Sequence, residues 1–149
     1  MKVAIIKYNA GNIYSVDYAL KRLGVEAVVT ADKDELRAAD KVIFPGVGEA
    51  ETTMKFLRAS GMDALIKELR QPLLGICLGM QVMCRHSEEG GDVDCLGIFD
   101  TEVKRFVPQK HDCLLYTSPS ASHGLEYAHR DEQWLIQRLY KRRVCLFCA

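Results

Sequence analysis

The chain has 149 residues, 48% hydrophobic and 27% charged, which is enough for one domain with a core of its own and no disulfide or metal staple. Twenty basic and twenty acidic side chains cancel, so no electrostatic footprint for nucleic acid or an anionic membrane is present. No apolar run approaches the roughly 18 residues of a membrane span, and the start has no cleavable small-residue site, so the expected location is cytoplasmic.

VAIIK at 3–7 is a short, nearly all-apolar run of the kind a parallel strand covered on both faces requires. YNAGN at 8–12 is turn-rich. Ser15 is placed to cap a helix whose apolar stripe is Val16, Ala19, Leu20 and Leu23, with Gly24 as its stop. VEAVVT at 25–30 reads as the second strand, and a short helix near Asp34–Ala39 leads to the third, KVIF at 41–44, which Pro45 and Gly46 end. Residues 50–69 carry helical spacing broken at Ser60–Gly61, with Met54, Leu57, Met62, Leu65, Ile66 and Leu69 as packing residues. PLLGI at 72–76 is the fourth strand, and the pattern after Cys77 predicts a helix to about Ser87. LGIF at 96–99 and TEVKRFV at 101–107 suggest two more strands, the latter in antiparallel pairing. Strands alternating with helices over short connections predict an α/β fold, a doubly wound parallel sheet. Fold alone sets no function.

Cys77, in GICLGMQ at 75–81, lies between a buried strand and a helix start. That is the carboxyl edge of a parallel sheet, where α/β enzymes place nucleophiles and where helix N-terminal amides favour a thiolate. Taken alone, Cys77 also reads as a buried core thiol, Gly46 and Gly48 as a tight turn, and Gln81 as a solvent-facing helix residue. Met80, Val82, Met83 and Cys84 read as helix core, and HSEEGG as a solvated loop. Six cysteines do not amount to a disulfide framework, because Cys77, Cys84 and Cys95 lie in an α/β pattern where reduced thiols are expected. CLFC at 145–148 lacks both the strand-to-helix context of a redox pair and a second ligand pair for zinc.

From Cys113 onward the rhythm fails. Residues 1–112 carry 15 basic and 17 acidic side chains, whereas residues 113–149 carry 5 and 3. The organisation expected is a domain over 1–112 and an unrelated tail over 113–149. One amphipathic helix at 131–143 presents Trp134, Leu135, Leu139 and Tyr140 on one side.

Three blocks carry a resemblance: YNAGNIYSVDYALKRLG at 8–24, ADKVIFPGVGEAETTM at 39–54, and PLLGICLGMQ with HSEEGGDVDCLG at 72–81 and 86–97. Together they resemble the class I, triad-type glutamine amidotransferases. Within that class they are similar to the glutaminase subunits of bacterial imidazole glycerol phosphate synthase, in histidine biosynthesis. The resemblance implies an incomplete flavodoxin-like sheet of the class I type over residues 1–112. It implies hydrolysis of L-glutamine to glutamate and ammonia, with Cys77 as nucleophile and a thioester intermediate. Backbone amides of Val47, Gly48 and Leu78 would hold the oxyanion, and Gly46 and Gln81 would lie at the substrate. Asn12 would lie at the interface with a cyclase partner, a (β/α)8 barrel that receives the ammonia. No metal, flavin, nucleotide or other cofactor is implied, and phosphate loops require a different glycine and lysine spacing. Lys7, commonly aspartate in the family, together with Asn9 and Glu49–Glu51, departs from its pattern as subgroup variation.

A cysteine glutaminase needs a general base, which the family supplies late in the chain as a His-x-Glu pair. No such pair occurs among His86, His111, His123 and His129. The expectation is therefore a chain inactive by itself, with strand edges left open where the family's closing strands would lie. Two alternatives stay open. One is a small flavodoxin-like cysteine hydrolase with a non-family base such as His86 or His129. The other is a non-catalytic fragment that binds the cyclase.

Overall fold

Every residue of the run Val3–Ile6 is buried, and alternate side chains enter two different cores, as in a strand covered on both faces. The computed structural model describes residues 1–8, 13–104 and, for the backbone, 144–147. Along the chain run β1 (Val3–Ile6), α1 (Ile13–Arg22), β2 (Ala27–Thr30), α2 (Lys33–Arg37), β3 (Lys41–Phe44), α3 (Ala50–Ser60) and α4 (Met62–Glu68). They are followed by β4 (Leu73–Ile76), α5 (Leu78–Gln81), β5 (His86–Ser87), β6 (Val93–Asp94), β7 (Glu102–Val103) and β8 (Val144–Phe147).

The main sheet has the order β2-β1-β3-β4-β8 and is parallel throughout. Ala4, Ile6, Val42, Phe44 and Leu73 face one core, which α2 to α5 cover with Leu36, Met54, Leu57, Leu65, Ile66 and Leu78. Val3, Ile5 and Ile43 face the other, where Ile13, Val16 and Leu20 of α1 pack half-buried. This is the flavodoxin-like, doubly wound arrangement expected from the sequence, and its strand order reverses direction between β1 and β3. Ligands bind at the carboxyl ends of strands beside such a reversal, because the loops on either side diverge and leave a crevice.

Local signals explain most boundaries. Asp32 caps α2, its carboxylate accepting from Asp34 N at 2.8 Å and Glu35 N at 2.9 Å. Gly61, left-handed at φ 65°, separates α3 from α4, its amide donating to the Arg58 carbonyl at 3.1 Å. Other expectations need correction. The helix α1 begins at Ile13, so Ser15 lies within its first turn instead of capping it. Leu23 falls beyond the helix end and is exposed, so the apolar stripe stops at Leu20.

The helix after Cys77 ends at Gln81, well short of Ser87. The backbone leaves the helical path there because amides downstream pair back onto its turn. Leu96 N donates to Val82 O and Gly97 N to Cys84 O, both at 2.8 Å. That pairing also accounts for LGIF at 96–99, which is not a strand: its amides bond to the 82–84 turn instead of to a neighbouring ladder. Within TEVKRFV the strand is Glu102–Val103, and it pairs parallel to β5, not antiparallel. The tail contributes β8, which runs parallel to β4 in the register Leu73↔Val144 to Ile76↔Phe147, so the expected open edge of β4 is covered. The expected helix at 131–143 lies outside the described residues.

His86 belongs to a small second sheet, β6-β5-β7, opposite Asp94 and Glu102. Its Nδ1 is 3.2 Å from an Asp94 oxygen and its Nε2 3.5 Å from Asp92. The hydrogen bond to Asp94 raises its pKa above the ordinary 6.5; desolvation opposes it, and Asp92 adds in the raising direction. A folded-state pKa above the unfolded one means the pairing stabilises the hairpin fully below about pH 6.5 and fades as pH rises through the raised value. We predict that local stability of β5–β6, followed by amide hydrogen exchange of Ser87 and Asp94, falls as pH rises from 6 to 8. His86→Gln should flatten that profile, and a wild-type profile already flat over this range would refute the prediction.

Candidate active site

β4 ends at Ile76, α5 starts at Leu78, and the single residue between them makes the whole turn. Cys77 has φ 51° and ψ −118°, one of two non-glycine residues with positive φ among those described. An L side chain at such angles costs about 1–3 kcal/mol and persists only where surrounding structure imposes it. Here the Cys77 carbonyl accepts from Met80 N at 2.9 Å and Gln81 N at 3.0 Å, which closes the helix at once. The thiol is thereby lifted off the strand end and is only half-buried. This is the nucleophile-elbow geometry, in which a sharp strand-to-helix turn presents one reactive atom.

Two glycines allow a second loop to reach this elbow. A Cβ on Gly79 would lie 2.0 Å from the Phe44 carbonyl oxygen, and one on Gly46 would lie 2.1 Å from Gly79 N. The backbone leaving β3 therefore rests directly on the start of α5, with no side chain between them. Gly75 has the same role beneath, where a Cβ would meet Met80 Cα and Met83 Sδ at 2.8 Å. Gly46, Leu78 and Gly79 are thus neighbours. Val47 and Gly48 follow on an exposed segment, with Gly48 at φ 111°. Glu49 continues it, accepting from the Thr52 hydroxyl at 3.2 Å while its side chain lies against Gly90 of the HSEEGG loop.

Tyr8 was not singled out in the sequence, yet it reaches the centre of this arrangement. It follows β1, is 6% exposed, and its hydroxyl donates to the Pro45 carbonyl at 2.7 Å. Its ring meets Phe44 edge-on, with centroids 5.4 Å apart and planes at 70°. Burial first, then the charge of an ionised Cys77, push the phenol up to about 12, while the nearby Val47 backbone N–H works the other way. The electrostatic influence of Cys77 marks phenol and thiol as neighbours. A tyrosine two residues beyond an all-buried strand, at the expected reversal of strand order, was the signal available.

The other thiols differ. Burial, with Cys95 nearby, pushes Cys84 up to about 11, and burial also raises Cys95. Both are inert core groups. Gln81 is the last residue of α5 and half-buried, one turn beyond Cys77. His86 faces the carboxylates of Asp92 and Asp94 with its two ring nitrogens, which leaves neither for Cys77. Asn12, His111, His123 and His129 lie outside the described residues. Among the described residues no group of three or more His, Cys, Asp or Glu could hold a metal ion, and no helix is long and apolar enough to cross a membrane.

Comparison with known proteins agrees with this geometry. Residues 2–119 match the CobB/CobQ-like glutamine amidotransferase domain. The chain is 81% identical over 112 residues to imidazole glycerol phosphate synthase subunit HisH of Bacteroides fragilis, covering 75% of this chain and 57% of that protein. Its identity to the subunit of the same name from Bacteroides thetaiotaomicron is 78%, with the same coverage. The chain therefore spans a little over half the length of these curated relatives. A crystal structure of a glutamine amidotransferase superposes with a TM-score of 0.60 at 28% identity, over 72% of this chain and 59% of the other.

Two substitutions test the elbow. Gly79→Ala forces a methyl against the Phe44 carbonyl and should cost about 3 kcal/mol, the upper range for overpacking, read from the urea midpoint. Cys77→Gly should be about 1 kcal/mol more stable than Cys77→Ala, because glycine alone relaxes at φ 51°. Equal stability of the two Cys77 variants would mean that the turn carries no strain.

Proposed function

We propose a function from one premise: the chain belongs to the glutamine amidotransferases, whose CobB/CobQ-like domain its residues 2–119 match. The function is that of the glutaminase subunit of imidazole glycerol phosphate synthase. It hydrolyses L-glutamine to glutamate and ammonia and delivers ammonia to a (β/α)8-barrel cyclase in L-histidine biosynthesis, in the cytoplasm. We place the N-terminal part of that amidotransferase domain at 1–112 and a non-matching tail at 113–149, the family match itself running on to residue 119. The observation that most supports this is the direct contact of the Pro45–Gly48 segment with the Cys77 elbow through Gly46 and Gly79. Weight is added by the names of relatives at 81% and 78% identity.

In the proposed reaction the Cys77 thiolate attacks the side-chain amide carbon of glutamine. The carbonyl π pair moves onto oxygen, and the N–H groups of Val47, Gly48 and Leu78 receive that oxyanion. One such donor is worth about 3 kcal/mol where it faces developing charge in a site closed to water. Collapse of the adduct expels the nitrogen, which takes up a proton and leaves as ammonia, and a γ-glutamyl thioester remains on Cys77. Water then adds to the thioester, glutamate leaves, and the thiol is regenerated. Gly46 and Gln81 line the substrate, Gln81 toward its amino-acid end, and Asn12 meets the cyclase. No cofactor or metal takes part. Proton transfer at the leaving nitrogen needs a base that the described residues do not place at Cys77, so turnover by this chain alone is proposed to be essentially nil. The engagement of His86 with Asp92 and Asp94 weighs against a hydrolase that uses it as base.

The test separates nucleophile from turnover. We predict that 6-diazo-5-oxo-L-norleucine labels Cys77 selectively over Cys84 and Cys95, that excess L-glutamine protects it, and that Cys77→Ser abolishes labelling. Glutamate release should remain at background. Labelling without glutamine protection would overturn the glutaminase assignment, and protected labelling with cyclase binding but no acyl-enzyme would favour a binding fragment.

A further inference from the structure

Resting on the glutaminase function above, we propose that Tyr8 is a positioning residue for the oxyanion-binding segment. Its phenol ties the end of β1 to Pro45–Gly48 and sets how that segment's N–H groups face Cys77.

The argument starts from the topology. β1 and β3 are adjacent at the reversal of strand order, so the residues just beyond them flank one crevice. Tyr8 and Pro45 close it from the two sides, with the hydroxyl donating to the Pro45 carbonyl at 2.7 Å. The edge-on contact with Phe44 holds the ring at the angle this bond needs. A peptide unit turns as a plane, so fixing the Pro45 carbonyl also fixes the direction of the Gly46 N–H. The Val47 and Gly48 peptides then follow from a plane whose direction is already set. One buried oxygen therefore sets the plane from which the segment's peptides depart.

Little else sets them. Glycines flank Val47 and give the segment low torsional resistance on both sides. The contact of Gly46 with Gly79 fixes where the segment lies, but a steric contact does not choose which way an N–H points. Among the described residues no backbone carbonyl accepts from Gly46, Val47 or Gly48. Tyr8 also stays protonated across the pH range in which a cysteine thiolate acts, being pushed up to about 12 by burial and by Cys77 itself. It thus remains a donor to Pro45 while the nucleophile is charged. The phenol acts through the peptides it orients and makes no contact with the reacting carbon.

The experiment compares the full chain with Tyr8→Phe, which removes one oxygen and keeps the ring against Phe44. Two readouts are made. The first is turnover-independent: the 15N shift of the Gly46 amide, in the peptide whose carbonyl accepts from the phenol, should move. The second is the labelling of Cys77 by two electrophiles. Reaction with 6-diazo-5-oxo-L-norleucine, whose carbonyl oxygen needs the oxyanion donors, should slow about ten- to hundredfold. Reaction with iodoacetamide, which needs only the thiolate, should be unchanged.

An unaltered Gly46 amide overturns the proposal, as does equal labelling of the two chains by the glutamine analogue. Failure of the wild-type chain to react with the analogue, while iodoacetamide still modifies Cys77, instead overturns the glutaminase assignment on which the proposal rests. Should Tyr8→Phe fail to fold, p-aminophenylalanine at position 8 restores a donor in the same place. That variant must keep the wild-type Gly46 shift and analogue labelling, and loss of either overturns the role of Tyr8.

Discussion

Two backbones in direct contact, the end of β3 against the first turn of α5, are the constraint on which the rest of this structure depends. Side chains normally keep such elements well apart, and here Gly46 and Gly79 remove them at the one point of crossing. Several consequences follow together. The turn at Cys77 can be as short as one residue because α5 packs down at once onto β3 and, through Gly75, onto its own strand. The backbone leaving β3 comes onto the first turn of α5 at no cost in side-chain packing.

The strain at Cys77 is balanced by ordinary core formation around it. Leu78, Val82 and Met83 are buried on one side of the turn, and Phe44 and Leu73 beneath it. Each fully buried side chain of this size contributes about 1.5–3 kcal/mol, so one unfavourable dihedral is easily carried. The same burial divides the three described thiols by chemistry. Cys84 and Cys95 are enclosed and pushed toward the neutral form, while Cys77 alone stands at a turn with access from outside. A half-exposed thiol at a turn is thus separated from two enclosed ones by a backbone angle.

The chain belongs to the glutamine amidotransferases and spans 57% of the length of its curated relatives. Its sheet is nonetheless five strands wide, because β8 pairs with β4 along all four residues. Backbone pairing requires only an extended segment with free N–H and C=O groups, so an edge strand accepts a partner of little sequence likeness. The general base is a stricter requirement. It needs one imidazole at one position, and His86, the histidine among the described residues, is held by Asp92 and Asp94.

The sequence by itself determined the parallel sheet, since four short apolar runs separated by helical spacing admit few other solutions. It also placed Cys77 at the strand-to-helix turn, through glycines at 75 and 79 that only a close-packed elbow requires. The long helical pattern broken at Gly61 was legible for the same reason: periodicity and a left-handed stop are local properties. Contacts between distant segments were not legible. The end of α5 at Gln81 and the loss of strand character at 96–99 come from pairing across a dozen residues or more, which no local propensity encodes. The return of residues 144–147 to the sheet edge and the reach of Tyr8 to Pro45 are likewise long-range. Tertiary structure decided these because a hydrogen bond to a distant carbonyl depends on where the whole chain has already brought it, whereas helix, strand and turn depend on the residues beside them.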